Sequence, residues 1–157
     1  ILKNQKDNYD FIIIDCPPSL SMLTINALCC AVGVIVPMQC EYFAMEGLTD
    51  LVGSMKRIQA AKNPDLTLIG LLRVMFDPRV TLQQQVSEQL KEYFGDKVFK
   101  TVIPRNVRLA EAPSFGLPGV LYEKSSKGAL AYQTLGVEIL KRMKKYKKSL
   151  KEKKDGR

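Results

Sequence analysis

Hydrophobic residues along this chain follow two alternating rhythms. Four short apolar runs, at 11–14, 33–37, 66–75 and 98–103, have the unbroken pattern of strands buried on both faces. Between them, apolar positions recur every three or four residues. Residues 19–31 include the helical pattern TINALCCA, and residues 46–61 place Leu48, Leu51, Val52, Met55 and Ile58 on one helical face. Asn63-Pro64 breaks that helix. Leu82, Val86 and Leu90 mark a third helix, with Thr81 and Gln84 spaced as a capping box and Gly95 as its stop. Residues 104–119, with three prolines, predict a long loop, and the last helix is expected from Gly128 to about Lys148. Gly70 lies inside the third apolar run and marks a close approach by another element. Strands alternating with helices of this length predict an α/β fold, a three-layer, mostly parallel sheet with flanking helices.

The stretch YDFIIIDCPP, residues 9–18, carries the first candidate chemistry. Its apolar run suits the centre of a parallel sheet, and Cys16-Pro17-Pro18 would end the strand at once. In open α/β sheets, ligands bind beyond the carboxyl ends of the strands. A lone carboxylate there, Asp15, is placed to hold Mg²⁺ or orient a water in a nucleotide enzyme; alternatively it caps a turn. A parallel nucleotide-binding sheet usually opens with a Gly-rich phosphate loop, yet no GxxxxGK[ST] occurs here, and only eight residues precede Tyr9. The sheet is therefore expected to be incomplete at its N-terminal side, and the start at Ile1 rather than Met suggests either a processed protein or a piece of something longer.

Composition narrows the picture. Hydrophobic content of 46% and charged content of 25% over 157 residues are those of a globular domain with a real core. No apolar run approaches the roughly 20 residues of a membrane span. The four cysteines form no CxxC pair and there is no histidine, which argues against a zinc site. Cys29-Cys30 is expected as a pair of buried thiols. The net charge of +8 is uneven: residues 141–157 hold ten Lys/Arg against Glu152 and Asp155, and the rest is balanced. The chain thus divides into a neutral body, 1–140, and a basic helix extension, 141–157.

The segments YDFIIIDCPPSLSMLTINAL, VPMQCEYFAMEGL and IPRNVRLAEAPSFGLP resemble the ParA/Soj-type chromosome- and plasmid-partitioning ATPases. These are deviant Walker P-loop proteins related to the MinD cell-division ATPases. The resemblance runs from about Tyr9 to Leu140 and corresponds to the C-terminal part of that P-loop NTPase-like domain, without the P-loop itself. It implies that Asp15 lies near Mg²⁺ and the γ-phosphate of ATP, as the catalytic carboxylate and a metal ligand, directly or through water. Asp15, Cys16, Pro17 and Pro18 would form switch II, with Thr24 and Asn26 nearby as switch-proximal residues or helix caps. Met75, Pro104, Arg105 and Asn106 would contact the base, the alternatives being core packing for Met75 and a turn cap for Asn106. Gln39, Glu41 and Glu46 would shape a strand-to-helix turn near a dimer face, the alternative for Glu41 being a catalytic carboxylate. Arg79, Arg105 and Arg108 would bind DNA without sequence preference.

The complete protein implied by the resemblance is a cytoplasmic, nucleoid-associated ATPase. It dimerises with ATP and is stimulated by a centromere-binding ParB/Spo0J-like partner, while this chain alone is expected to be catalytically inactive. Two alternatives are a nucleotide-independent DNA-binding truncation and a MinD-like membrane regulator. For the latter, Ile139, Met143, Tyr146 and Leu150 form a thin apolar stripe on the basic helix, too thin to make a membrane an expected partner. The sequence departs from the family pattern at Ser21, at Leu117 and across residues 122–126, so no DNA role is carried over to Lys124 or Lys127.

Overall fold

The computed structural model describes residues 8–17, 19 and 21–155, with side chains through Tyr146. Three strands, β1 (Gly33–Met38), β2 (Thr67–Phe76) and β3 (Val98–Pro104), form a parallel sheet in the order β1-β2-β3. The helices are α1 (Met22–Cys30), α2 (Ala44–Ala61), α3 (Thr81–Phe94), α4 (Val107–Glu111), α5 (Gly119–Tyr122) and α6 (Lys127–Asp155). Parallel neighbours need a crossover, and here α2 links β1 to β2 while α3 links β2 to β3.

Each sheet face is covered, which is why the strands read as continuous apolar runs. On one face, Leu48 and Val52 of α2 and Val86 and Leu90 of α3 pack on Val36, Leu71 and Val98. Leu28 of α1 extends this layer through Met55 and Leu66. On the other face, Leu135 and Ile139 of α6 and Leu109 of α4 pack on Leu72, Phe99 and Ile103. The three-layer α/β architecture is therefore as expected.

Both strand pairs break register. Val34 pairs with Leu68 but Ile35 pairs with Gly70, so Ile69 is an extra residue in β2. Its carbonyl accepts from Arg142 Nη1 at 3.1 Å, and the Leu68 carbonyl accepts from Lys97 Nζ at 2.9 Å. Gly70 sits against the Phe99 ring: a Cβ there would fall 2.5 Å from the ring edge and 2.8 Å from the Lys97 carbonyl oxygen. Between Leu71↔Val98 and Arg73↔Val102, β3 carries two more residues than β2. Lys100 and Thr101 turn their amides to the Glu138 carboxylate of α6, both at 2.9 Å.

Several expectations are corrected. Residues 11–14 form no strand; Phe11, Ile12 and Ile14 are 41–43% exposed and Ile13 is 92% exposed. A run apolar on both faces records a need for neighbours on each side, and the sheet β1-β2-β3 does not include this segment. Cys30 is exposed and Cys29 half-buried, because α1 turns only Thr24 and Leu28 fully inward; Cys40, after β1, is the buried thiol. The residue preceding α3 is Val80, with no side-chain cap, and Leu82 is 44% exposed. Gln84 instead reaches back to the Pro78 carbonyl, and Gln83 accepts from the Asp77 amide at 2.8 Å. Residues 104–119 are largely helical: α4 is followed by a 3-10 turn, Ala112–Phe115. The stop at Gly95 holds, with φ +49°.

The apolar stripe of α6 is largely taken up by the body. Met143 is buried, Ile139 packs on the sheet, and the Tyr146 hydroxyl donates to the Asp65 carbonyl at 3.0 Å. The side chain of Leu150 lies outside the described residues. Among the described residues, no helix is long and apolar enough to cross a membrane.

Candidate functional site

The carboxyl ends of β2 and β3 lie side by side, since Phe76 pairs with Pro104. This edge gathers the residues singled out on both strands. Met75 ends the apolar run of β2 with φ +50°, the one non-glycine residue with positive φ among those described, and its side chain is 47% exposed. A non-glycine residue held in left-handed backbone costs about 1–3 kcal/mol, and Met75 belongs to none of the three core clusters that could offset it. The core-packing alternative for Met75 is therefore not what the structure contains. Such strain concentrates where a ligand is held.

Pro104 closes β3, Arg105 is exposed, and Asn106 begins α4, its Oδ1 accepting from the Leu109 amide at 3.2 Å. Asn106 is thus a helix cap, while its amide NH₂ keeps its donors for another acceptor. Gly128 lets the start of α6 close on this cap; a Cβ there would lie 3.1 Å from the Asn106 Cβ and 2.5 Å from Leu109. An apolar groove of about 490 Å³ opens beside the same edge, lined by residues that include Phe76, Pro78, Pro104 and Leu130. Of the four expected base contacts, Pro104 is the one that lines it.

The arginines come with partners that sequence reasoning missed. Arg79, its side chain 87% exposed, donates from Nε to Asp77 Oδ1 at 2.9 Å and from Nη2 to Asp77 Oδ2 at 2.6 Å. The Arg79 backbone amide donates to the same Oδ1 at 3.0 Å. These bonds, with the field of Arg105, hold the Asp77 carboxyl down at about 2. Arg108 bonds Glu111 at 2.9 Å. Both partners were legible in principle: Asp-Pro-X after a strand is an Asx-turn signature, and Arg108 and Glu111 lie three apart on a helix.

Asp15 is exposed on irregular backbone. Pro17 is exposed and Cys16 half-buried, whereas Pro18 lies outside the described residues. Thr24 ties this segment down: its buried hydroxyl donates to the Ser19 carbonyl at 2.7 Å. Asn26 is exposed on α1. After β1, Glu41 is exposed and its carbonyl accepts from the Ala44 amide, while Glu46 sits in the first turn of α2, where a carboxylate complements the helix dipole. Among the described residues, no three Cys, Asp or Glu side chains gather in a metal cluster. Mg²⁺ bound with a nucleotide takes one or two carboxylates plus phosphate oxygens and water, so a lone Asp15 is compatible with it.

A family model described as "AAA domain" matches residues 1–68. Soj of Treponema pallidum, a chromosome-partitioning ATPase, is 53% identical over 142 residues, 90% of this chain and 56% of that protein. Soj of Bacillus subtilis, a sporulation initiation inhibitor protein, is 54% identical over 138 residues, 88% of this chain and 54% of its own length. The chain thus spans about half the length of the curated relatives it matches. Cobyrinic acid a,c-diamide synthase from Mycobacterium smegmatis, solved with ADP and magnesium, superposes with TM-score 0.71 at 34% identity over 91% of this chain and 51% of that one. The Pyrococcus furiosus cell-division ATPase MinD shares the fold, with TM-score 0.67 at 24% identity over 92% of this chain and 55% of its own.

Proposed function

From the premise that this chain is homologous to the ParA/Soj chromosome-partitioning ATPases over most of its length, we propose that it is the C-terminal part of such an ATPase. One observation carries the reading: the paired ends of β2 and β3 bring Met75, Pro104, Arg105 and Asn106 to the same edge as Arg79 and Arg108. A nucleotide base needs apolar surface and polar edges, and these residues offer a thioether, a proline and a side-chain amide. DNA needs cations on exposed loops, and Arg79, Arg105 and Arg108 are all exposed.

In the complete ATPase, bound ATP and Mg²⁺ supply phosphoryl transfer to water. Asp15 is the carboxylate this chain offers to the ion or to the attacking water, within a switch II made of Asp15, Cys16, Pro17 and Pro18. Met75 and residues 104–106 orient the base. Dimerisation with ATP doubles the number of arginines facing DNA, so affinity rises with ATP and falls steeply with salt. A centromere-binding ParB-like protein is the expected partner, with the nucleoid as its site of action.

The test is DNA binding by the complete protein, followed by fluorescence anisotropy on duplexes of unrelated sequence. ATP-dependent binding that weakens with salt, and that weakens further in Arg79→Ala and Arg108→Ala, is the expected result. Binding indifferent to ATP would leave a nucleotide-independent DNA module instead. ATP turnover by the isolated 157-residue chain, lost in Asp15→Ala, would overturn the expectation that this part is inactive on its own.

A further inference from the structure

We infer that Asp77 is a positioning residue for DNA: it holds the Arg79 guanidinium in the orientation that meets a phosphate. The inference rests on the DNA reading of Arg79 proposed above.

Asp77 is itself immobilised. Its amide donates to Gln83 Oε1 at 2.8 Å, its carbonyl accepts from the Val80 amide at 3.1 Å, and Pro78 fixes the next φ. Oδ1 closes an Asx-turn on the Arg79 amide at 3.0 Å. The Asp77 side chain is 24% exposed, against 87% for Arg79. A carboxylate anchored at a strand end therefore grips a guanidinium that stands in solvent.

The grip uses one side of the guanidinium. Nε–H and one N–H of Nη2 face Asp77, at 2.9 and 2.6 Å. Both N–H groups of Nη1 and the second of Nη2 remain, and they form a fork that matches two phosphate oxygens. An alternative role for the same carboxylate is to mask the arginine by cancelling its charge. Magnitudes decide between the two. Repulsion between Asp77 and a phosphate roughly 7 Å away, in water, weakens binding by a factor of about two to three, and less once salt screens it. An unrestrained arginine loses rotamer freedom worth up to about thirtyfold in affinity when it docks. Asp77 has already removed much of that freedom, so orientation outweighs cancellation.

The experiment uses the complete protein with ATP and Mg²⁺, read by anisotropy on duplex DNA across a salt series. Asp77→Ala is expected to weaken binding about threefold to tenfold and to flatten the plot of log K against log salt by about one unit. Arg79→Ala is expected to do the same, and the double variant to add little to either. Asp77→Glu, which keeps the charge but lengthens the arm, is expected to restore part of the affinity. Thermal midpoints identify any variant that has lost its fold, and Glu88→Gln on the exposed side of α3 serves as a charge control. Tighter binding by Asp77→Ala would make the carboxylate a mask and overturn the proposal, as would unchanged binding. Should Arg79→Ala itself bind like the unaltered protein, the DNA role of Arg79 fails instead, a result distinct from the other two.

Discussion

Arg73 and Glu138 satisfy opposite sides of one interruption in β3. The carboxylate of Glu138 accepts the amides of Lys100 and Thr101, both at 2.9 Å, and the Thr101 hydroxyl at 2.7 Å. The guanidinium of Arg73 donates from Nη2 to the Phe99 carbonyl at 2.8 Å and to that of Lys100 at 3.3 Å, and from Nη1 to the Ser87 hydroxyl at 2.8 Å. Two side chains thus replace the ladder bonds that the register break removes, which explains why a buried strand tolerates an arginine.

Glu138 makes stability depend on acid. Burial pushes its carboxyl upward, but the bonds from Thr101, Lys100 and Arg142 win and hold it at about 2, below the ordinary 4.5. A depressed carboxylate stabilises the fold fully above about pH 4.5, and that contribution is lost as pH falls through about 2. The side chain is 17% exposed, so a contribution of about 1–3 kcal/mol is reasonable. Glu138→Gln is expected to lose it at neutral pH, and the stability difference between the two proteins should shrink toward pH 2. Urea unfolding between pH 7 and pH 2 measures it.

Arg73 is 4% exposed, its nearest partners are neutral, and its Nε has no partner among the described residues. Burial pulls its pKa downward, opposed by the fields of Cys40 and Glu138. Truncation removes a costly charge but strands two carbonyls and a hydroxyl. The second effect is larger, because each buried acceptor left unmade costs about 1–3 kcal/mol. Arg73→Ala should therefore destabilise by about 2–4 kcal/mol in chemical unfolding, whereas Arg73→Lys, with one ammonium in place of a fork, should recover only part.

Gly70→Ala tests the close approach in the sheet. The added methyl would meet the Phe99 ring and the Lys97 carbonyl, and Phe99, fully buried, has nowhere to move. A loss of about 1–3 kcal/mol is expected, with the midpoint of thermal unfolding as the readout. Gly47→Ala, with open space around its Cβ and a helical backbone, is the control and should stabilise slightly.

Met75→Gly separates stability from ligand binding. Glycine relieves the positive φ, so the folded state should gain about 1 kcal/mol. In the complete protein, affinity for a fluorescent adenine nucleotide should fall because the exposed thioether is gone. Unchanged nucleotide affinity would remove Met75 from the proposed base site.

Apolar run and helical period by themselves determined the three strands, the helices between them and the parallel order, because burial on both faces leaves the same mark wherever it occurs. The same mark misled at Phe11–Ile14: it records what a segment requires of its neighbours, and those neighbours come from elsewhere in space. Gly70 was readable as a contact point, though not as a contact with Phe99. Arg73, set in an apolar run, gave no signal at all, since its burial depends on carbonyls that β3 frees 26 and 27 residues further along. The arginines 79 and 108 could be found from sequence by resemblance. Their local partners Asp77 and Glu111 were readable in principle from spacing, whereas the backbone twist at Met75 and the anchoring of α6 by Glu138 and Arg142 were settled only when the strands came together, because those contacts join segments far apart along the chain.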